Sequence, residues 1–213
     1  MNEVNEAMSS LWKKKDDPFD VQDSKEDDVL TAIRKKSDTV PNSQKLLIKY
    51  HKDLSQLIPR DEIVQHCELL REYAPTAEVA GSFRREKPFS SDIDVVVREP
   101  IAEVVARLKK AKYIVDTFFI GDRKFSGICI HPEFGIHRQI DFIFTTPRSH
   151  PFAILYFTGS KKHNVIMRLR ARRKGMKLNE YGLFKGDTPV AGIKTEKDIF
   201  RALDTPYKRP NER

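Results

Sequence analysis

Two aspartates, Asp92 and Asp94, stand at the entry of the run Ile93-Asp94-Val95-Val96-Val97. In a strand, residues i and i+2 share a face, so both carboxylates point the same way from a rigid support. Like charges this close repel unless a cation lies between them, and hard divalent cations such as Mg²⁺ prefer oxygen ligands. Ten residues upstream of the pair, Gly81-Ser82-Phe83-Arg84-Arg85 offers free backbone N–H groups, a hydroxyl and two guanidinium groups. Such a turn is suited to gripping phosphate beside a metal. An aspartate pair alone reads more often as a solvated strand edge; the glycine-serine turn and its arginines reverse that weighting. The chemistry these residue types support is phosphate handling at a divalent cation.

To position them, residues 81–97 must form a tight glycine turn, a short basic helix and a strand, preceded by another strand. Upstream, Leu46, Leu47, Tyr50, Leu54 and Leu57 recur at helical spacing until Ile58-Pro59 ends the run. Pro59 then suits the first turn of a second helix, with Asp61 and Glu62 at its positive end and Ile63, Cys67 and Leu70 as its buried stripe. Pro100 opens a helix through Ala111, with Ile101, Val104, Val105 and Leu108 on one face and Lys109, Lys110 and Lys112 at its negative end. Three strand-like runs follow, residues 113–120, 124–131 and 136–144. The third carries Asp141, on the face opposite Ile140, Phe142 and Phe144. Spacing alone leaves open whether Asp141 is a site residue or a surface aspartate. His131 and His137 read as hydrogen-bonded surface groups rather than ligands.

Residues 150–158 read as a helix running into Thr158-Gly159-Ser160, where Gly159 permits a conformation that other residues resist. A second helix spans 161–174 and ends at Gly175. It carries Lys161, Lys162, Arg168, Arg170, Arg172, Arg173 and Lys174 without one acid, while Val165, Ile166 and Leu169 are expected to face inward. An all-basic helix on a basic domain favours nucleic-acid phosphates over a membrane surface.

The 213 residues suffice for one or two small domains with a sizeable core. Net charge is +8, but residues 1–40 carry 7 Lys and Arg against 10 Asp and Glu, which leaves +11 on residues 41–213. That part is basic yet holds its own carboxylates, which suits a polyanion held around a metal. Residues 1–40 have charge runs and little periodicity and are expected to be disordered. No apolar run approaches the roughly 18 residues that cross a bilayer, and the N-terminus is unlike a signal peptide, so a soluble intracellular protein is expected, with nucleus or cytoplasm undecided. Cys67 and Cys129 make neither a disulfide framework nor a zinc site and read as small core residues.

Gly-Ser-Phe-Arg-Arg, the aspartate pair, and the later string Tyr156-Phe157-Thr158-Gly159-Ser160, Asn164, Met167-Arg168, Lys174-Gly175 and residues 178–184 occur in an order that resembles the palm and thumb of family X, the DNA polymerase beta-like polymerases. The resemblance covers roughly residues 41–213. It implies an α+β fold: a nucleotidyltransferase palm with a mixed twisted sheet and flanking helices, then a small α/β thumb-type subdomain, with domains at 41–147 and 148–213. It also implies that Asp92, Asp94 and Asp141 bind two Mg²⁺ ions, with Mn²⁺ as an alternative. By the same resemblance Ser82, Arg85 and the backbone at Ser91 hold a triphosphate, and Tyr156 and Phe157, leading into Gly159, sense the sugar. Asn164 would contact the incoming base and Arg168 the template, with Lys161, Lys162, Arg172 and Arg173 on DNA phosphates. The chain departs from the family pattern in three places: Leu57 and Gln139 stand where some members have arginine, and Ser91 where many have glycine. No glycine precedes Gly81, so no helix-hairpin-helix motif is expected upstream, nor a lyase domain.

The implied function is a template-directed DNA polymerase that adds dNTPs to a primer 3′-hydroxyl on gapped or primer-template DNA, in short-gap repair, as a monomer and away from membranes. The alternatives are a template-independent nucleotidyltransferase, and a DNA-binding module without catalysis. Tyr156-Phe157 and the Asn164/Arg168 helix weigh against the first, and the three carboxylates against the second.

Overall fold

A computed structural model describes residues 41–213; the segment expected to be disordered, residues 1–40, lies outside the described residues. The chain divides into two units between Gln56 and Leu57. In the first, α1 (Asn42–Lys49) and α2 (His51–Leu54) have Leu46, Tyr50 and Leu54 buried. The single helix expected here is interrupted at Tyr50, whose φ of −103° and ψ of 9° break the winding. Leu57, read as the last apolar residue of its helical spacing, is exposed. It enters extended backbone, where neighbouring side chains alternate, and its neighbour Ile58 takes the inward position.

The second unit is built on a five-stranded sheet in the order β2 (Glu78–Val79), β4 (Ile93–Val97), β7 (His137–Phe144), β6 (Lys124–Ile130) and β5 (Ile114–Ile120). Strands β4 and β7 run parallel and the other neighbours antiparallel, so the sheet is mixed, as expected. Strand alternation sorts its residues into two faces. Ile93, Val95, Val97, Ile140 and Phe142 point into the main core, roofed by α3 (Arg60–Tyr73) and α5 (Ile101–Lys110). Helix α5 buries Ile101, Val104, Val105 and Leu108, and the cations of its last turn face its negative end, as the spacing predicts. The opposite face carries Asp94, Val96, Asp141 and Ile143. Val96 and Ile143 are covered by Ala153 and Ile154 of α6 (His150–Thr158), while Asp94 and Asp141 are largely buried and keep only part of their surface open.

Between these elements lie α4 (Gly81–Arg84) and a ribbon not foreseen from the sequence. Its strands, β1 (Ile58–Pro59) and β3 (Phe89–Ser90), pair antiparallel. Two residues per strand are too few to show a period.

Helix α3 buries its expected Ile63, Cys67 and Leu70, but also Glu62 and His66. Their partners come from positions distant in sequence. Arg138 of β7 donates to both Glu62 oxygens at 2.7 and 2.8 Å, and His66 Nδ1 is hydrogen-bonded to the Tyr113 hydroxyl at 2.7 Å. Burial alone would push the Glu62 carboxyl up; its contacts with His66 and Arg138 bring it down to about 2. His131, read as a surface group, packs its ring against His66 and Phe134. Cys67 and Cys129 are both buried, and burial pushes the Cys129 thiol up to about 12.

The C-terminal part joins α6 and α7 (Lys161–Arg173) to a sheet of β8 (Met176–Asn179), β9 (Gly182–Lys185) and β10 (Thr188–Pro189), and to α8 (Glu196–Ala202). Its core is Phe152, Leu155, Met167, Ala171, Leu178, Leu183, Ile199, Phe200 and Leu203. The inward face of α7 is not the one expected. Ser160 accepts from the His163 amide at its start, and His163, Met167 and Ala171 are buried, whereas Val165, Ile166 and Leu169 are exposed. The helix has two apolar stripes, and small Ala171 lets one of them approach β8 closely. Among the described residues no helix is long and apolar enough to cross a membrane.

Candidate active site

Parallel pairing of β4 with β7 sets Asp94 directly beside Asp141 in register. Neighbouring strands lie about 4.8 Å apart, so the two carboxylates share one face at close range. Asp92 lies in the bend just before β4, close enough for its charge to act on both Asp94 and Asp141. Burial is the first cause that raises the Asp94 carboxyl well above its ordinary value; the charges of Asp92 and Asp141 raise it further and Arg85 opposes them. Burial also raises Asp141, against hydrogen bonds from Ser126 and Gln139 and with Asp92 adding to the rise. Gln139 donates to Asp141 Oδ2 at 3.3 Å. Ser126 lies opposite Asp141 on β6. Nothing in the spacing of Lys124-Phe125-Ser126-Gly127 marks that serine as a partner; only the register does.

Among the described residues no three His, Cys, Asp or Glu side chains close on a common point as a ready metal cage. Mutual repulsion keeps bare carboxylates apart, and Asp94 and Asp141, raised first by burial and then by neighbouring charge, show the cost of holding them together. The donor set nonetheless fits a hard divalent cation. Three carboxylates with oxygen donors only, one of them nearly engulfed, face a single guanidinium, that of Arg85, and carry more negative charge than it can offset.

The glycine turn is shaped around Asp94. Gly81 has φ of +53°, and a Cβ there would lie 2.4 Å from Asp94 Oδ2, so glycine alone lets the carboxylate sit beneath the turn. Ser82 donates from its hydroxyl to Ser90 Oγ at 2.6 Å, and Ser91 to Asp92 Oδ1 at 3.2 Å. Arg85 donates to the carbonyl of Thr158 at 2.5 Å, and its Nε is buried without a partner. Burial lowers its pKa while Asp94 and Asp92 hold it up. Gly159, with φ of +66°, gives that guanidinium room: a Cβ would lie 3.3 Å from Arg85 Nη1.

Arg84 does not share this role, although the sequence suggested that both arginines grip phosphate. It donates to Thr158 Oγ1 at 2.6 Å and to Glu196 at 2.7 and 3.2 Å, and Arg213 meets the same carboxylate at 2.6 Å. Burial would raise Glu196, but the two arginines bring it below its ordinary value. Glu196 is 112 residues from Arg84 in sequence, so no local signal announces the pair.

Tyr156 and Phe157 end α6 with their rings tilted at 5.6 Å. Phe157 leans on the Ala80, Val96 and Ile143 cluster beside the carboxylate face. The Asn164 amide donates to the Tyr156 carbonyl at 2.7 Å, and the Arg168 guanidinium lies 5.2 Å over the Tyr156 ring. Lys124, ion-paired to Glu180 at 2.8 Å, approaches the same ring at 5.6 Å and was not singled out from the sequence. Lys161, Lys162, Arg172 and Arg173 line the exposed side of α7. One surface thus joins three carboxylates, an arginine with a free donor, an aromatic pair and a cationic helix.

Residues 57–147 match the family model for the DNA polymerase beta palm, and residues 153–213 that for the DNA polymerase beta thumb. DNA polymerase lambda of Arabidopsis thaliana is 30% identical over 84% of this chain, which spans only 40% of that protein's length. The repair DNA polymerase X of African swine fever virus is 28% identical over 78% of this chain and is matched over 98% of its own length. Among solved structures, Leishmania infantum polymerase beta in a ternary P/T complex superposes with a TM-score of 0.77 at 30% identity, covering 86% of this chain and 87% of that one. Palm and thumb models together span most of the chain, in the order and over the folds described above, and the chain belongs to family X, the DNA polymerase beta-like polymerases.

Proposed function

We propose that this chain is a template-directed DNA polymerase of the short-gap repair type, joining a dNTP to a primer 3′-hydroxyl. The observation that carries this reading is the in-register pair Asp94 and Asp141 on parallel strands, with the charges of Asp92 and Arg85 acting on Asp94. The names of the relatives point the same way.

Asp92, Asp94 and Asp141 would hold the divalent cations, Mg²⁺ or Mn²⁺. When bound, two such ions lower the pKa of the attacking hydroxyl and neutralise charge on the leaving pyrophosphate. Gln139 and Ser126 steady Asp141 through hydrogen bonds, so its carboxylate is oriented before substrate arrives. Arg85, with Nε unpaired and its other end fixed to Thr158, offers the triphosphate a charge that needs no reorganisation. Ser82 would turn its hydroxyl from Ser90 toward phosphate, with the Ser91 backbone beside it. The Tyr156 carbonyl is pinned by Asn164, which keeps the sugar wall of Tyr156 and Phe157 rigid. Arg168 and the cations of α7 would take the template strand. We assign the chemistry to the sheet-bearing part up to residue 147 and the nucleotide and template contacts to residues 148–213. We take a monomer as the acting unit.

The test is primer extension on a one-nucleotide gap with each dNTP in turn and Mg²⁺. Addition of the complementary nucleotide alone is expected. Equal addition of all four, or tailing of blunt ends, would favour the template-independent reading, and no metal-dependent addition would leave only DNA binding.

A further inference from the structure

Only one of the two apolar stripes of α7 is buried. His163, Met167 and Ala171 enter the C-terminal core, whereas Val165, Ile166 and Leu169 are 51%, 40% and 48% exposed. At helical spacing Lys162, Val165, Ile166, Leu169, Arg172 and Arg173 share one face, so cations close the apolar stripe at both ends. Those cations are exposed, and the helix contains no acid. Their neighbours Arg170 and Lys174 are already tied to Thr205 and Asp204.

Three contiguous aliphatic side chains in water call for an occupant more than scattered single ones do. A protein partner is a poor fit, since the patch falls far short of the roughly 800 Å² per partner of a stable interface. A second copy would set like charges against each other. Nucleic acid fits both features: sugar carbons and base edges lie between two rows of phosphates. Between Lys162 and Arg173 the helix rises about 16 Å, enough for its two ends to reach phosphates on both sides of a groove up to about 12 Å wide. Asn164 and Arg168 border the stripe and both meet Tyr156, so the stripe continues from the candidate nucleotide site.

We propose that α7 lies across the bound DNA with Val165, Ile166 and Leu169 against sugars and base edges, adding a salt-independent apolar contact to the phosphate contacts of Lys162, Arg172 and Arg173. This rests on the DNA-directed reading above. The experiment is fluorescence anisotropy on a labelled gapped duplex across a salt series, with V165T/I166Q/L169Q against the unaltered chain and circular dichroism as a check of folding. The expected result is a Kd raised about tenfold at every salt concentration with the log–log salt slope unchanged. Unaltered affinity, or a changed slope at constant apolar loss, would overturn it. So would an intact DNA affinity with loss of binding to phosphatidylserine vesicles or of self-association, which would make the occupant a membrane or a second copy. Absent extension activity with triple-variant-sensitive DNA binding would sink the polymerase reading alone. Normal templated extension with insensitive binding would sink this proposal alone.

Discussion

Asp141 and Gly81 bear on the chemistry in different ways. The Asp141 carboxylate would serve the reacting groups directly, so Asp141→Ala is expected to abolish nucleotide addition while DNA affinity is kept or rises, since a negative charge leaves a basic surface. Activity above a few per cent in a gap-filling assay would show that this carboxylate is not part of the metal site. Gly81 acts by making room. Gly81→Ala puts a Cβ 2.4 Å from Asp94 Oδ2 at a φ of +53°. Backbone strain of about 1–2 kcal/mol and a displaced carboxylate should follow, lowering kcat about 100-fold in a chain that still folds. Near-normal kcat would mean that Asp94 has slack that the turn geometry denies it.

Two predictions belong to single elements. Strands β5 and β6 pair with register shifts at Ile114/Asp116 and Thr117/Phe119, and Gly127 is the point where the backbones crowd. A Cβ there would lie 2.6 Å from the Asp116 carbonyl and 2.4 Å from Phe125 Cζ. Gly127→Ala should therefore destabilise the fold by about 1–3 kcal/mol in urea titration, through overpacking rather than loss of any contact. An unchanged urea midpoint would indicate that the bulged hairpin relaxes freely. On α7, the cations and the apolar stripe should separate cleanly. Replacing Arg172 and Arg173 by Ala should reduce the log–log salt slope of DNA binding by about one to two units if each neutralises a phosphate. A slope that does not move would place DNA away from this helix.

For the molecule as a whole, the buried titrating groups predict sensitivity to acid. Burial holds His66 and His163 below the ordinary histidine value of 6.5, His163 at about 4 with nearby Arg213 and Lys208 adding to the effect. Both bind protons less readily folded than unfolded, so protons favour the unfolded chain. Their contribution is fully present above 6.5 and is lost as pH falls, down to about 4 for His163. Glu62, held at about 2 against an ordinary 4.5, adds a second loss only below 4.5. Asp94 and Asp141, raised by burial, pull the other way because they take up protons more readily folded, so the check is a difference: in thermal melts between pH 6.5 and 4 the Tm of the unaltered chain should fall more than that of His163→Asn. Equal falls in the two chains would mean that His163 remains accessible to protons in the folded chain.

Local rules in the sequence determined a good deal. The two-residue period of a strand put Asp94 opposite Ile93 and Val95, and Asp141 opposite Ile140 and Phe142, because side-chain direction follows from backbone geometry alone, whereas Asp92 falls in the bend before the strand. Helical spacing found the stripe of α5 for the same reason. What tertiary structure decided lies wherever two local answers were equally good or the partner is far away. Helix α7 offers apolar residues at both 163/167/171 and 165/166/169, and packing on β8 chose the first, because small Ala171 permits close approach. Arg84 and Arg85 are adjacent and chemically identical. Only Glu196, brought back by the C-terminal fold, ties up Arg84 and leaves Arg85, with its Nε unpartnered, as the arginine facing the carboxylates. Helical spacing on α3 gave no sign that Glu62 and His66 are buried; β7 delivers Arg138 to Glu62, and a buried charge is tolerable only beside the counter-charge that chain topology supplies. Periodicity is a property of a few neighbouring bonds and survives without the fold, whereas the pairing of charges and the choice between two faces are properties of the packed chain.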